Sequence, residues 1–397
     1  MRNTFGMLLI LAVAIPASAP PFAKASEGEQ EKKPKAPPAD KVDQVKVDAA
    51  IKKGLAYLKG QLGHFGTLNK RRSDELILWT FAHAGVPEND TDFEKLFKNV
   101  IESKLEWTYN VSLQAMILEE LDRVKYQGRI AQCAQFLVDN QCANGQWSYG
   151  EVDSFAQDVP TGGPSKKAVA SPGGKAKPPV PGTRTKPKVV NTITVKQMKT
   201  GPARGDNSNS QYAALGLRAC HDAGVVLPVA VVELGEKWWR DGTSGDGWGY
   251  LSKNDAGYGS MTAGAAGALT IYLFIQGKQW MKDKEVVSGM EWLGKNFTVT
   301  QNPGPHDADG GQGGWQYYYL YALERAGIFF GTETVGAHEW YAEGAQYLLG
   351  AQAADGSWQS KGADHAIWDT CFAILVLRRA TRPLIDVASV DPKAKFK

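Results

Sequence analysis

Apolar residues recur along most of the chain with the spacing of α-helices, and these helices are of two kinds. In the first kind the apolar residues fall on one face, as Ile51, Leu55 and Leu58 do among lysines. In the second kind nearly every position is apolar, as from Ile367 to Leu377. A helix with a polar face lies at a surface, whereas a helix that is apolar all round is buried. The alternation of the two kinds therefore predicts outer helices that cover inner ones.

Six outer–inner pairs are predicted, which makes the protein all-α. The first pairs the helix around Ile51–Leu58 with an inner helix at Asp74–Ala84. The other five, each with the outer helix first, are Asp92–Ser103 with Asn110–Leu121, Arg129–Asn140 with Ser208–Ala223, Val229–Arg240 with Met261–Gln276, Lys284–Asn296 with Gln316–Ala326, and two helices within Glu339–Ala380.

Two recurrences indicate that the pairs are copies of one repeat unit. Gln141 and Trp147 are six positions apart in QCANGQW, and Gln352 and Trp358 have the same spacing in QAADGSW. In addition, the sequence Ala-Gly followed by Val or Ile marks three predicted inner-helix ends, at Gly85, Gly224 and Gly327. Glycine suits the left-handed position that terminates a helix, and an apolar residue just beyond it packs back on the last turn.

The two Gln–Trp segments resemble the QW motif of squalene cyclases and of the related prenyltransferase β subunits. The segment WDTCFAILVLRR, which begins at Trp368, resembles the inner helix that follows the last such motif. This resemblance implies an α/α toroid of six helix pairs, an α6/α6 barrel, with inner helices in a ring around a central cavity. The toroid is expected to span residues 48–385.

The remaining segments differ from the toroid in composition. Residues 1–25 have an early arginine, a short apolar run and small-residue cleavage sites, which predict a signal peptide, with an uncleaved anchor as the alternative. Residues 26–47 predict a disordered Lys/Pro-rich spacer, residues 151–206 a long disordered insertion, and residues 386–397 a tail. A signal peptide implies a periplasmic or secreted protein with no transmembrane segment after cleavage.

Charge gives little indication of a partner. The formal net charge is +3, and the basic residues are concentrated in the two low-complexity segments. A basic face for nucleic acid is therefore not expected. The predicted partner is an extended ligand, a sugar or a peptide, or an envelope protein.

The resemblance also suggests two catalytic chemistries, and the sequence departs from both. The cyclase branch uses a D-x-D-D motif, but the nearest match here is Asp307 and Asp309 followed by glycine. The prenyltransferase branch binds zinc through an Asp-x-Cys pair and a distant histidine, for which the candidates are Asp369, Cys371, His64 and His365. The simpler interpretation is that Asp369 stabilises a helix N-terminus and Cys371 is a small buried residue. We therefore predict no metal and no cofactor.

Loop lengths predict where a ligand binds. The connections from outer to inner helices are long and rich in glycine, whereas the opposite connections are short. Long loops on one rim of a rigid scaffold commonly carry binding residues. The rim candidates are Tyr109, Asn209, Tyr317, Tyr318 and Asp369.

Two functions remain open from the sequence. The favoured one is a binding module that holds its ligand in the cavity or on this rim. The alternative is an enzyme of the same fold, either a polysaccharide lyase or hydrolase or a terpene cyclase or prenyltransferase with a non-standard site. A glycosidase needs two carboxylates across a cleft. The candidates are Asp74 and Asp369 at inner-helix N-termini and Asp246, Asp307 and Asp309 in loops. Two carboxylates about 5–10 Å apart on the cavity wall would favour hydrolysis, and an aromatic wall without such a pair would favour binding.

Overall fold

Helices account for nearly all regular structure in the described residues. The computed structural model describes residues 42–62, 74–160, 186–243, 245, 247–305, 315–360 and 365–384. In chain order the elements are α1 (Gln44–Gln61), α2 (Asp74–Ala84), α3 (Thr91–Glu102), α4 (Thr108–Asp122), α5 (Gln127–Asp139), α6 (Phe155–Asp158), β1 (Ile193–Thr194), α7 (Asn207–Asp222), β2 (Val225–Val226), α8 (Val229–Asp241), α9 (Gly259–Ile275), α10 (Lys284–Lys295), α11 (Gln316–Phe330), α12 (Trp340–Ala351) and α13 (Ala366–Arg378).

Six of these helices form a closed inner ring. Helix α2 packs on α4, α4 on α7, α7 on α9, α9 on α11, α11 on α13, and α13 returns to α2. Helices α1, α3, α5, α8, α10 and α12 lie outside the ring, and α1 packs against both α12 and α13. The predicted α/α toroid of six pairs is therefore confirmed, and the first pair packs beside the last.

Burial follows the two kinds of helix seen in the sequence. Nearly every residue of the inner helix α9 is buried, whereas the outer helix α3 buries Phe93, Leu96 and Val100. Helix α5 is an exception, because it is an outer helix that is buried through most of its length. Two arms of the predicted insertion, residues 151–160 and 186–206, lie against it. The side-chain amide of Gln132 donates to the carbonyl oxygen of Val159, and that of Gln135 donates to the carbonyl oxygen of Lys196.

The prediction that all of residues 151–206 lack structure is therefore wrong for both arms. Composition suggested disorder because the arms carry few apolar residues, but hydrogen bonds to helix ends hold them in place. The backbone N–H groups of Met198 and Lys199 both donate to Asp139 at the end of α5. Asp206 caps α7 by accepting from the backbone N–H of Asn209 at 2.8 Å. The stretch 161–185 lies outside the described residues.

Two predicted boundaries also need correction. Helix α1 begins at Gln44, inside the predicted spacer, because Asp43 accepts hydrogen bonds from the next backbone N–H groups and Val47 is buried in the core. Gly85 and Gly224 do end their helices with positive φ angles of 79° and 80°. Gly327 does not, because α11 continues to Phe330 and ends at Gly331, where φ is 80°. At Gly327 a Cβ atom would lie 2.7 Å from Trp340, so this glycine instead permits close helix packing.

The tryptophan of each Gln–Trp segment caps the C-terminal end of its own outer helix with a hydrogen bond. The indole N–H of Trp147 donates to the carbonyl oxygen of Leu137 at 2.7 Å, and that of Trp358 donates to Leu348 at 2.8 Å. Both carbonyls belong to the last turn of a helix, where backbone acceptors lack intrahelical partners. Trp248 makes the same contact with Trp239 at 2.8 Å, so a third repeat has this capping bond without the glutamine.

None of the helices within the described ranges is long and apolar enough to cross a membrane. The predicted signal peptide at residues 1–25 and the tail at 386–397 lie outside the described ranges.

Candidate functional site: a cavity at the N-terminal ends of the inner helices

A cavity of about 730 Å³ opens at the rim where the inner helices begin. Each of the six inner helices contributes a residue to its wall, namely Asp74, Tyr109, Asn209, Met261, Tyr318 and Trp368. This volume is within the range of about 300–1,000 Å³ that is usual for small-ligand pockets. The cavity lies at the rim that the loop lengths indicated.

Aromatic side chains make up much of the wall. They are Trp107, Tyr109, Tyr149, Tyr212, Tyr250, Tyr258, Trp315, Tyr318, Trp368 and Phe372. The rings of Trp315 and Trp368 are nearly parallel, with centroids 6.2 Å apart, and His365 stacks on both. On another part of the wall, Trp107 and Tyr149 are each 38% exposed. The mouth of the cavity therefore offers flat, partly accessible apolar surfaces on which a ring could stack.

Carboxylates occupy the wall formed by α2 and the segment before α4. Asp74, Glu75 and Glu106 line this part of the cavity, together with Lys104. The side-chain amide of Asn99 donates to Asp74 at 3.0 Å, and that of Asn110 donates to Glu75 at 2.7 Å. Buried carboxylates need such partners, and these amides fix the orientation of both acids towards the inner-helix rim.

A hydrogen-bonded network runs from the cavity wall towards a buried cation. Tyr318 accepts from the amide of Gln211 at 2.7 Å, and its hydroxyl lies 3.3 Å from that of Tyr109. Arg325 donates to the other end of the Gln211 amide at 3.1 Å, and its guanidinium stacks 4.1 Å from the centroid of Tyr321. Either hydroxyl can donate in the Tyr109–Tyr318 pair, because the Tyr318 oxygen can accept a second hydrogen bond besides that from Gln211. Burial raises the pKa of both phenols well above the usual range, so both stay protonated.

The network depends on a glycine in the neighbouring inner helix. A Cβ atom at Gly264 would lie 2.6 Å from the Gln211 side chain. The glycine-rich sequence of α9 therefore has a local reason besides helix packing, because it leaves room for the amide that orients Tyr318.

Three of the five predicted rim residues line the cavity: Tyr109, Asn209 and Tyr318. Asn209 is completely buried, and its amide N–H group donates to Asp206 at 2.8 Å. Tyr317 and Asp369 are not among the lining residues. Successive helix positions turn by about 100°, so Tyr317 and Tyr318 point in different directions, and Tyr317 lies near Tyr347 instead.

The surroundings of Asp369 and Cys371 indicate that both residues support the fold. One Asp369 carboxylate oxygen accepts from the backbone N–H of Ser360 at 2.8 Å. Burial raises the pKa of Asp369 to about 7, and burial raises that of the Cys371 thiol to about 12. A thiol with so high a pKa is a poor nucleophile at neutral pH.

The remaining predicted site residues are not brought together. His365 stacks on tryptophans at the cavity mouth, and Asp74 is the one predicted catalytic carboxylate found on the wall among the described residues. His64, Asp246, Asp307 and Asp309 lie outside the described residues. Within the described ranges, no three histidine, cysteine or acidic side chains are grouped so that they could hold a metal ion.

Several wall residues were not predicted from the sequence. Glu75 follows a predicted candidate directly, and Trp107, Tyr149, Tyr250, Trp315 and Trp368 lie in or beside the outer-to-inner connections. The aromatic residues of those connections were the available signal, since the same loops had already indicated the rim.

Comparison with known proteins identifies the fold alone. No protein-family profile matches the chain, and no curated protein matches it. A substituted form of the type II terpene cyclase MstE from Scytonema, in complex with geranylgeranyl dihydroxybenzoate, is 10% identical over 85% of this chain and 97% of its own, with a TM-score of 0.51. The apo form of MstE is 12% identical over 85% and 99%, with a TM-score of 0.49. A protein from Actinoplanes is 13% identical over 84% and 99%, also at 0.49.

Proposed function

We propose that the protein is a binding toroid whose cavity holds an extended polar ligand, a sugar chain or a peptide segment, presented free or on an envelope protein. The observation that carries this proposal is the composition of one cavity wall. Partly exposed tryptophans and tyrosines line the cavity together with carboxylates that are held by hydrogen bonds from side-chain amides. Aromatic faces with a few placed hydrogen-bonding groups suit rings that bear hydroxyls or amides.

The polar part of the wall argues against a purely hydrocarbon ligand. Asp74, Glu75 and Lys104 all reach the cavity. Covering ionised groups with an apolar chain would remove water from them without replacing its hydrogen bonds, which costs several kcal/mol per group. A ligand with its own donors and acceptors avoids this cost.

The proposal is tested by direct binding. Purified protein is applied to arrays of oligosaccharides and of peptides, and a ligand that binds is measured by calorimetry with wild type, Trp107→Ala, Trp368→Ala and Val226→Ser. Trp107 and Trp368 line the cavity, whereas Val226 is exposed beside the C-terminal end of an inner helix. Loss of one stacking platform should weaken binding by about 10-fold, which corresponds to about 1.4 kcal/mol. Weakening by Val226→Ser alone would show that the ligand binds elsewhere.

A second candidate, a polysaccharide hydrolase or lyase, is favoured by the carboxylates on the same wall. Asp74, Glu75 and Glu106 provide more than the pair that glycoside hydrolysis requires. Release of reducing or unsaturated ends from a bound oligosaccharide, abolished by Glu75→Gln while binding persists, would establish catalysis. An intact ligand recovered after long incubation would leave binding as the function.

A terpene cyclase or prenyltransferase is compatible with the fold but has less support from the residues. The sequence has no D-x-D-D motif, and Cys371 is buried away from the cavity. Since fold likeness alone does not carry an activity, we place this alternative third.

We further propose that the protein acts outside the cytoplasm. The support is the arginine, short apolar run and small-residue cleavage sites of residues 1–25. Cell fractionation with mass measurement of the mature N-terminus tests this, and an intact N-terminus in the cytoplasmic fraction would refute it.

A further inference from the structure

Two buried carboxyl groups face each other where the first arm of the insertion meets the outer helix α5. Asp139 is the last residue of α5 and has no exposed surface, and Asp153 on the arm is 2% exposed. The segments that carry them are in contact, because the backbone N–H of Glu151 donates to the Asn140 side chain at 2.8 Å, and Lys199 bonds both Asp139 and the carbonyl oxygen of Val152. The Asp153 and Asp139 side chains interact at this place. Two ionised carboxylates cannot share a buried site without a large repulsion, so one of them needs a proton or a cation between them.

The donors around the two carboxyl groups differ. Asp139 accepts from the backbone N–H groups of Met198 and Lys199 and from the side-chain amide of Gln135. Among the described residues, Asp153 accepts from the backbone N–H of Phe155, at 3.2 Å, and no donor reaches its second oxygen. Hydrogen bonds from N–H groups favour a charged carboxylate. The second oxygen of Asp153 is therefore the place for a proton.

We propose that Asp153 carries a proton which it donates to Asp139, and that this shared proton fastens the first insertion arm to the toroid. The arm begins next to Tyr149, which lines the cavity mouth, so the contact also holds one side of the binding site. We call this contact between Asp153 and Asp139 the latch. It forms when Asp153 is protonated and weakens when Asp153 ionises. This holds whether or not the proposed ligand binds, because it depends on the fold and not on the cavity's occupant.

The charges around the latch set the pH at which it loosens. Burial, and then the charge of Asp139, raise the pKa of Asp153 to about 6, while Lys199 on the second arm opposes the shift. The Lys199 ammonium bonds the carbonyl oxygen of Val152 at 3.3 Å. A raised pKa in the folded state means that the stabilisation is complete below the unfolded value near 3.8 and is lost as the pH rises through about 6.

The test is Asp153→Asn, whose amide can donate to Asp139 permanently. We expect this variant to raise the melting temperature by about 2–4 °C at a pH of about 7.5 and to leave it unchanged at about pH 4.5. Asp158→Asn is the matched control, since Asp158 is an exposed carboxylate on the same arm, in the short helix α6, and it should have no effect at either pH. Asp139→Asn should destabilise at both, because its amide nitrogen replaces the oxygen that accepts from Gln135.

Hydrogen exchange of residues 150–159, corrected for intrinsic rates, gives a second measurement. Protection in wild type should be higher at the lower pH, and in Asp153→Asn it should be the same at both. A lower melting temperature of Asp153→Asn at both pH values would overturn the proposal. Stabilisation of wild type, but not of Asp153→Asn, by millimolar calcium would also overturn it, since a cation would then occupy the place of the proton.

Discussion

The side-chain amide of Gln352 donates to the carbonyl oxygen of Ala50 at 2.9 Å, although the two residues are 302 positions apart in the chain. Ala50 lies on the first outer helix and Gln352 follows the last, so this bond joins the two ends of the ring. Gln141 makes the corresponding bond to Val231 on the next outer helix, at 2.8 Å. In both segments the glutamine forms a hydrogen bond to the neighbouring repeat, while the tryptophan forms one to the outer helix of its own repeat.

Gln352→Ala should therefore lower the free energy of unfolding by about 1 kcal/mol, the net contribution of an ordinary hydrogen bond. Chemical denaturation measures the change, with Gln157→Ala as the control, since Gln157 is exposed on the short helix α6. Equal effects of the two substitutions would show that the bond between the ring ends contributes nothing to stability.

Trp147→Phe should lower the free energy of unfolding by more than Gln352→Ala does, by about 2–4 kcal/mol. The substitution shrinks a side chain with no exposed surface and leaves the helix-end carbonyl of Leu137 without its donor. Trp107→Phe is the control, because Trp107 is 38% exposed. A loss below about 1 kcal/mol for Trp147→Phe would contradict the capping role.

The second insertion arm should be sensitive to a single methyl group. A Cβ atom at Gly205 would lie 2.0 Å from the backbone oxygen of Trp147, so Gly205→Ala should destabilise by at least about 2 kcal/mol. At Gly350, in helix α12, a Cβ atom meets nothing within 4 Å. Gly350→Ala should therefore be neutral or stabilising by up to about 1 kcal/mol. Thermal unfolding of the two variants measures the changes. If Gly205→Ala is as stable as wild type, the prediction that this arm is disordered would be revived.

Stability should also depend on the ionisation of Asp369. Burial raises its pKa from 3.8 to about 7, so its contribution to stability is complete below about pH 4 and is lost as the pH rises towards 7. Asp369→Asn should consequently be more stable than wild type at about pH 8, by about 2–4 kcal/mol, and similar to it at about pH 4. Asp241→Asn, an exposed position on helix α8, is the control for general charge effects. A variant less stable than wild type at the higher pH would show that the carboxylate is needed in its ionised form.

Local patterns in the sequence were sufficient for much of the fold. Helix type depends on which positions are apolar, and repeat boundaries depend on turn residues such as Gly85 and Gly224. Both are properties of short segments, so six pairs and their order could be read directly. The same loops also indicated the rim at which the cavity opens, because long connections gather where the inner helices begin.

Residues whose roles depend on distant partners could not be assigned in this way. Gly327 looked like a helix end, but α11 continues past it to Phe330, and the glycine instead lets Trp340 approach the helix closely. Tyr317 and Tyr318 are adjacent in sequence, yet rotation about the helix axis gives the cavity only one of them. The insertion arms looked disordered because their stabilising partners, such as Asp139, belong to another element.

The sequence by itself therefore determined the ring and its open rim, since both follow from periodicity and loop length. Only the tertiary structure decided which side chains meet. The carboxylates of Asp74 and Glu75 join aromatic residues from five other helices and their loops, and Asp153 meets Asp139 across the insertion. Such groupings arise from packing between segments far apart in the chain, and no local pattern records them.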